Sequence, residues 1–119
     1  MDWRKLRERY LRDEWPIRLG NLGSTLGRVA QRAANPDASA AVPLSLRESM
    51  LLVEWNLGRT PSEILIELAS IQSELRLWWR GWDTVTQSSV LRSLLSRRAR
   101  QMSDRVLELS GLLESSQRE

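Results

Sequence analysis

Cysteine and histidine are both missing from this 119-residue chain, and lysine occurs once, as Lys5. The first absence excludes disulfides and thiolate chemistry, and the second removes the most common imidazole metal ligand. Histidine is also the side chain that most often titrates near neutrality beside a nucleophile, so acid/base catalysis has no evident carrier. Lys5 falls in a basic first turn, a poor setting for the desolvated amine that lysine catalysis needs. None of the many serines lies in a G-x-S-x-G elbow. Gly23-Ser24-Thr25-Leu26-Gly27 superficially resembles a phosphate-binding loop but lacks both the Walker lysine and a preceding strand. Catalytic residues, cofactors and metals are therefore all expected to be none.

Long apolar runs are lacking too. The longest is Met50 to Val53, far short of a bilayer span, and arginine or lysine recurs from Trp3 to Trp15 where a secretory signal would need an apolar stretch. The chain reads as cytoplasmic. Its length suits one domain with a core of its own.

What is present is arginine, seventeen of the eighteen basic residues, against fifteen acidic ones, for a net charge of +3. Residues 1–34 carry eight positive and four negative side chains, 35–83 four and seven, and 84–119 six and four. Basic ends flank an acidic middle, as expected of helices that pair their charges within a bundle.

Periodicity predicts helices throughout. Asp2 to Glu14 places Trp3, Leu6 and Tyr10 on one side, and Pro16 then kinks or splits the helix. Leu19, Leu22, Leu26 and Val29 continue a stripe to about Ala33, beside Gly20, Gly23 and Gly27. Three glycines in one helix cost about 1 kcal/mol each against alanine, so a groove admitting another backbone or a flat indole is expected there. Ala33 to Val42, closed by Pro43, reads as a linker (35–44) between an N-terminal helical arm (1–34) and a three-helix core (45–113). A capping box at Ser45-Leu46-Arg47-Glu48 predicts a helix from Ser45 to Leu57, apolar on two faces. Thr60-Pro61-Ser62-Glu63 marks the next start, with Thr60 as cap, and Ile64, Leu68, Ile71, Leu75, Trp78 and Trp82 form a seam about 27 Å long. Leu91, Leu95, Ala99, Met102, Val106, Leu109 and Leu113 stripe a last helix, expected to partner the seam helix, with a frayed tail over 114–119. The fold class is all-α, an up-and-down bundle of about four helices.

Function then falls to surfaces. Glu63, Glu67 and Glu74 form an acidic stripe that reads as a face turned toward basic helices better than as a Mg²⁺ site. Ile66 and Leu77 fall opposite the seam, which calls for a second copy or a partner unless the helix is buried all round. With Trp79, Arg80, Trp3 and Tyr10 they make the candidate partner or self-association surface. Arg4, Lys5, Arg9 and Arg12, with Arg97, Arg98 and Arg100, are the candidate polyanion contacts; the last three diverge around their helix, and Asp104 is placed to pair with Arg100. The expected function is a non-enzymatic helical interaction or adaptor protein, a homo-oligomer with or without another protein partner. A nucleic-acid-associated regulator is the alternative and a peripheral membrane role the third.

Overall fold

The computed structural model describes residues 2–111, and among them every regular element is helical. In chain order these are α1 (Trp3–Arg12), α2 (Trp15–Ala34), a 3₁₀ turn (Pro36–Ala41), α3 (Val42–Glu54), α4 (Ser62–Arg80), α5 (Trp82–Val85) and α6 (Ser89–Ser110). Pro16 splits the N-terminal region instead of kinking it: Asp13 is extended, and the proline occupies the first turn of α2, where its missing N–H costs nothing. The Asp2 carboxylate caps α1 by accepting from the Arg4 and Lys5 amides at 3.0 and 3.3 Å.

Two sequence-level start signals resolve differently from expectation. The helix predicted at Ser45 begins at Val42, directly off the 3₁₀ turn, with Pro43 in its first turn. Ser45 is therefore interior and buried; its hydroxyl donates back to the Ala41 carbonyl at 3.1 Å and accepts from Arg32. Helix α4 starts at Ser62, but Thr60 does not cap it, because its hydroxyl is engaged by Asn56 and Arg18. At the other ends, Gly58 and Gly111 adopt left-handed φ values of 76° and 73°, the conformation glycine tolerates where a helix stops. Leu113 and the tail over 114–119 lie outside the described residues.

Side-chain contacts give the topology. Arg18 meets Asn56 and Arg32 meets Ser45, so α2 and α3 run antiparallel. Gln72 reaches the Met50 carbonyl, while Leu57 and Leu65 line one groove, so α4 runs antiparallel to α3. Ser96 bonds to Ala30 and Ser103 to Gly23, which sets α6 antiparallel to α2, and Glu67–Arg105 with Glu74–Arg98 set it antiparallel to α4. The result is an up-and-down four-helix arrangement in the cyclic order α2, α3, α4, α6.

Helix α6 has two unlike neighbours. On the α2 side Gly23 and Gly27 act as predicted and let α6 come close: the Ser103 hydroxyl donates to the Gly23 carbonyl and the Ser96 hydroxyl to the Ala30 carbonyl, each at 2.7 Å. An added methyl at Gly23 would meet the Leu107 side chain at 2.8 Å. On the α4 side, long arginine–glutamate pairs span a wider gap. The close partner of α6 is thus α2, not the seam helix. Small side chains of α2 let the two backbones approach, whereas the α4 side meets α6 through the long Glu67–Arg105 and Glu74–Arg98 pairs.

The N-terminal third is accordingly no arm on a three-helix core. Leu19, Leu22, Leu26 and Val29 of α2 are fully buried, and they share one apolar cluster with Leu46, Leu68, Leu75, Leu95 and Val106. Each such side chain contributes roughly 1.5–3 kcal/mol on burial. The seam of α4 is buried at Ile64, Leu68, Ile71 and Leu75, and Trp82 continues it from α5. Trp78 is half-buried, with its indole N–H donated to Glu74 at 3.1 Å. No helix among the described residues is long and apolar enough to cross a membrane.

Candidate functional site

The outer face of α4 is the most conspicuous uncovered surface. On a wheel of about 100° per residue, Ile66, Ser70, Ser73 and Leu77 lie within about 60° of one another. All four are exposed, Ile66 at 74% and Leu77 at 71%. They face away from the seam because the seam residues take the inward side at 64, 68, 71 and 75. Between the two large apolar side chains lie only hydroxymethyl groups, so the face has an apolar knob at each end and a shallow waist.

At its C-terminal end this face opens into a groove between α4 and α6. Leu77, Trp78, Gly81, Thr84, Val85 and Leu94 line it, with Glu74 and Arg98 closing the other side, around a volume of about 470 Å³. Leu94 is 40% exposed, and Val90, one turn before it, is 74% exposed. Neither was singled out in the sequence, although a signal was present: Leu94 lies about 100° off the buried stripe that runs through Leu95.

Of the remaining candidates Arg80 lies on this side of α4, about 60° from Leu77, whereas Tyr10, Trp3 and Trp79 do not join the surface. Tyr10 is buried at 3% exposure, packed against Trp55 with ring centroids 6.0 Å apart, and its hydroxyl accepts from the Asn56 amide at 2.8 Å. It is a core residue and not a docking anchor, because the apolar side of α1 is used to pack the helix on the bundle. Burial pushes its phenol up to about 12. Trp3 is half-buried on the same helix. Trp79 sits about 160° around α4 from Leu77 and lies under the Arg47 guanidinium of α3 at 5.9 Å, while Arg80 is exposed.

Two members of the acidic stripe, Glu67 and Glu74, face basic side chains. Arg98 grips Glu74 through Nε and Nη2 at 2.9 and 2.6 Å, and Arg105 grips Glu67 in the same two-pronged way. Hydrogen bonding from these guanidinium groups holds both carboxyls below the usual range, against the opposing effect of partial burial. Arg98 is therefore withdrawn from the candidate polyanion set. Arg100 does not pair with Asp104; no carboxylate lies within ion-pair distance of it among the described residues, and its guanidinium lies over Gly27 of α2. Arg97 is exposed. On α1, by contrast, Arg4, Lys5, Arg9 and Arg12, together with Arg7, are all exposed and none has a carboxylate partner among the described residues.

A further polar centre lies where α1, α2 and the α3–α4 loop converge. Arg18 of α2 is 5% exposed, and no carboxylate pairs with it among the described residues. Its donors reach the Asn56 side-chain oxygen at 3.0 Å, the Asp13 carbonyl at 2.7 Å, the Thr60 hydroxyl at 3.2 Å and the Arg59 carbonyl. Asn56, fully buried, donates in turn to Tyr10 and to the Leu52 carbonyl. One guanidinium thereby ties together the α1–α2 joint and the α3–α4 loop. Nothing in the local sequence around Arg18 distinguishes it from a surface arginine. No protein-family model, curated protein or solved structure matches the chain.

Proposed function

We propose that this chain is a non-enzymatic interaction protein of the cytoplasm that self-associates through the outer face of α4 and the adjoining groove beside α6. One observation carries the reading: Ile66 and Leu77 stand more than two-thirds exposed on one line of a well-packed helix. Single exposed apolar residues are ordinary, but two aligned large ones beside an apolar groove mark an interaction surface. The non-enzymatic part of the reading draws support from a side-chain repertoire without cysteine or histidine. Light scattering against concentration tests it. The unmodified chain is expected to gain mass toward a dimer as concentration rises, and Ile66→Glu to stay monomeric with an unchanged helical circular dichroism spectrum. A monomer at all concentrations refutes it.

A second reading, association with nucleic acid through α1, is favoured by the five exposed cations there, which have no carboxylate partner among the described residues. Full engagement of five phosphates on duplex DNA corresponds to a log–log salt slope of about −4.5. Weak or salt-insensitive binding removes this reading. The same helix argues against a membrane role, since Tyr10 is turned into the bundle and is not free to enter a bilayer.

A further inference from the structure

We infer that the occupant of the α4 face is a second copy of this chain, packed with the two α4 helices antiparallel about a two-fold axis that passes between Ser70 and Ser73. This rests on the self-association reading above and adds its register. A two-fold interface must be self-complementary: if one residue meets a second, the second must meet the first across the axis. The exposed stripe has that symmetry. Its spacings run four, three, four, and its side chains run large apolar, Ser, Ser, large apolar. About an axis midway along it, Ile66 meets the partner subunit's Leu77, and Ser70 meets the partner subunit's Ser73. The serine waist lets the helices approach closely, so that the terminal knobs pack beside the opposing backbone.

A parallel pair would also superpose like on like, and three observations decide against it. The larger and more apolar groove lies at one end of the face, beside Leu77 and Leu94, while toward the Ile66 end the space between α4 and α6 is smaller and walled by Glu67, Gln101 and Arg105. Antiparallel packing brings each Ile66 to the mouth of the opposing groove, twice per dimer; parallel packing sets Ile66 on Ile66 and leaves both grooves open. Charge points the same way. Glu63 is in the first turn of α4 and Arg80 in the last, so the antiparallel pair sets acidic turn level with basic turn. The helix macrodipoles also oppose one another favourably in that arrangement. A stripe of four residues is smaller than the roughly 800 Å² per partner typical of a stable interface. The flank formed by Leu94 and Val90 belongs to the contact, and the dimer is expected to be weak and concentration-dependent.

The absence of native cysteine makes the register directly testable. Single variants Ile66→Cys and Leu77→Cys are prepared, their folding checked by circular dichroism, and each is oxidised alone and as an equimolar mixture at a concentration where scattering shows the unmodified chain to be dimeric. In the proposed register identical positions are separated by about 16 Å along the axis, beyond disulfide reach, whereas positions 66 and 77 are apposed. Covalent dimer is therefore expected in the mixture, up to about half of the material on statistical pairing, and at most in traces in either variant alone. Crosslinking of each variant with itself, or absence of crosslinking in the mixture while scattering still reports a dimer, overturns the register but not self-association. A monomer by scattering overturns the reading on which the register rests.

Discussion

Removing the Arg18 guanidinium tests how the bundle is held at its α1 end. Arg18→Met keeps most of the apolar stem and deletes the donors. The Asp13 and Arg59 carbonyls lose the hydrogen bonds that Arg18 supplies, while the Asn56 oxygen still accepts from Thr60 at 2.8 Å. Two opposing contributions set the magnitude. Hydrogen bonds from a charged donor are worth about 1.5–3 kcal/mol each, and four are lost. Against that, a buried guanidinium with no carboxylate partner among the described residues pays a desolvation cost of several kcal/mol that methionine does not. Water entering beside the loop partly re-satisfies the carbonyls, so the net loss is expected at about 3–5 kcal/mol, a large part of a typical domain stability of about 5–15 kcal/mol. Urea unfolding followed by tryptophan fluorescence measures it. With a slope of about 1.5 kcal/mol per molar, a loss of 4 kcal/mol lowers the midpoint by nearly 3 M. Arg18→Lys, which keeps the charge but not the forked geometry, falls between the two. Arg28→Met on the same helix is the control: its side chain is 47% exposed and pairs with Glu48 at 3.5 Å, so a change below about 1 kcal/mol is expected. An Arg18→Met midpoint close to that of the control would refute the argument that this centre ties the two joints together.

Two further outcomes follow from the packing. Gly27→Ala is expected to stabilise by about 0.5–1 kcal/mol through helix propensity, because the added methyl meets only the flexible Arg100 tip at 3.4 Å and the Ser103 hydroxyl at 3.6 Å. Gly23→Ala, pressed against Leu107, should gain nothing or lose about 1 kcal/mol; thermal melts showing the reverse order would contradict the assigned α2–α6 contact. Tyr10 is the only tyrosine in the chain, so an ultraviolet absorbance titration reports its phenol alone. Because its folded pKa is raised, the neutral form is favoured by folding: that stability is fully present below pH 10 and is lost as pH rises toward about 12. The loss amounts to about 2–3 kcal/mol at completion, and a phenol titrating at its ordinary value in the folded protein would contradict its burial.

Periodicity made most of the helical architecture legible before any coordinates. The stripes at Leu19–Val29, Ile64–Leu75 and Leu95–Val106 are the core, and the break at Pro16 and the turn at Gly58 fall where residue chemistry places them. The same reasoning put Ile66 and Leu77 outside the core, since no wheel that buries 64, 68, 71 and 75 can also bury 66 and 77. Capping chemistry was less reliable. Ser45 and Thr60 both stand in good capping patterns, yet Ser45 is interior to a helix that begins at Val42, and the Thr60 hydroxyl is engaged by Asn56 and Arg18 from elsewhere in the fold.

Local sequence therefore determined which residues are helical, where most helices stop and which side of each is apolar, since these depend on neighbours three and four positions away. It did not determine which helix lies beside which. That α6 sits on α2, that Tyr10 is core and not surface, that Arg98 is neutralised by Glu74, and that Arg18 is buried all depend on residues 24 to 80 positions apart in the chain. Only folding brings such groups within a few ångströms, and at that range hydrogen bonding and desolvation decide which of several chemically similar arginines and aromatics remain available for binding.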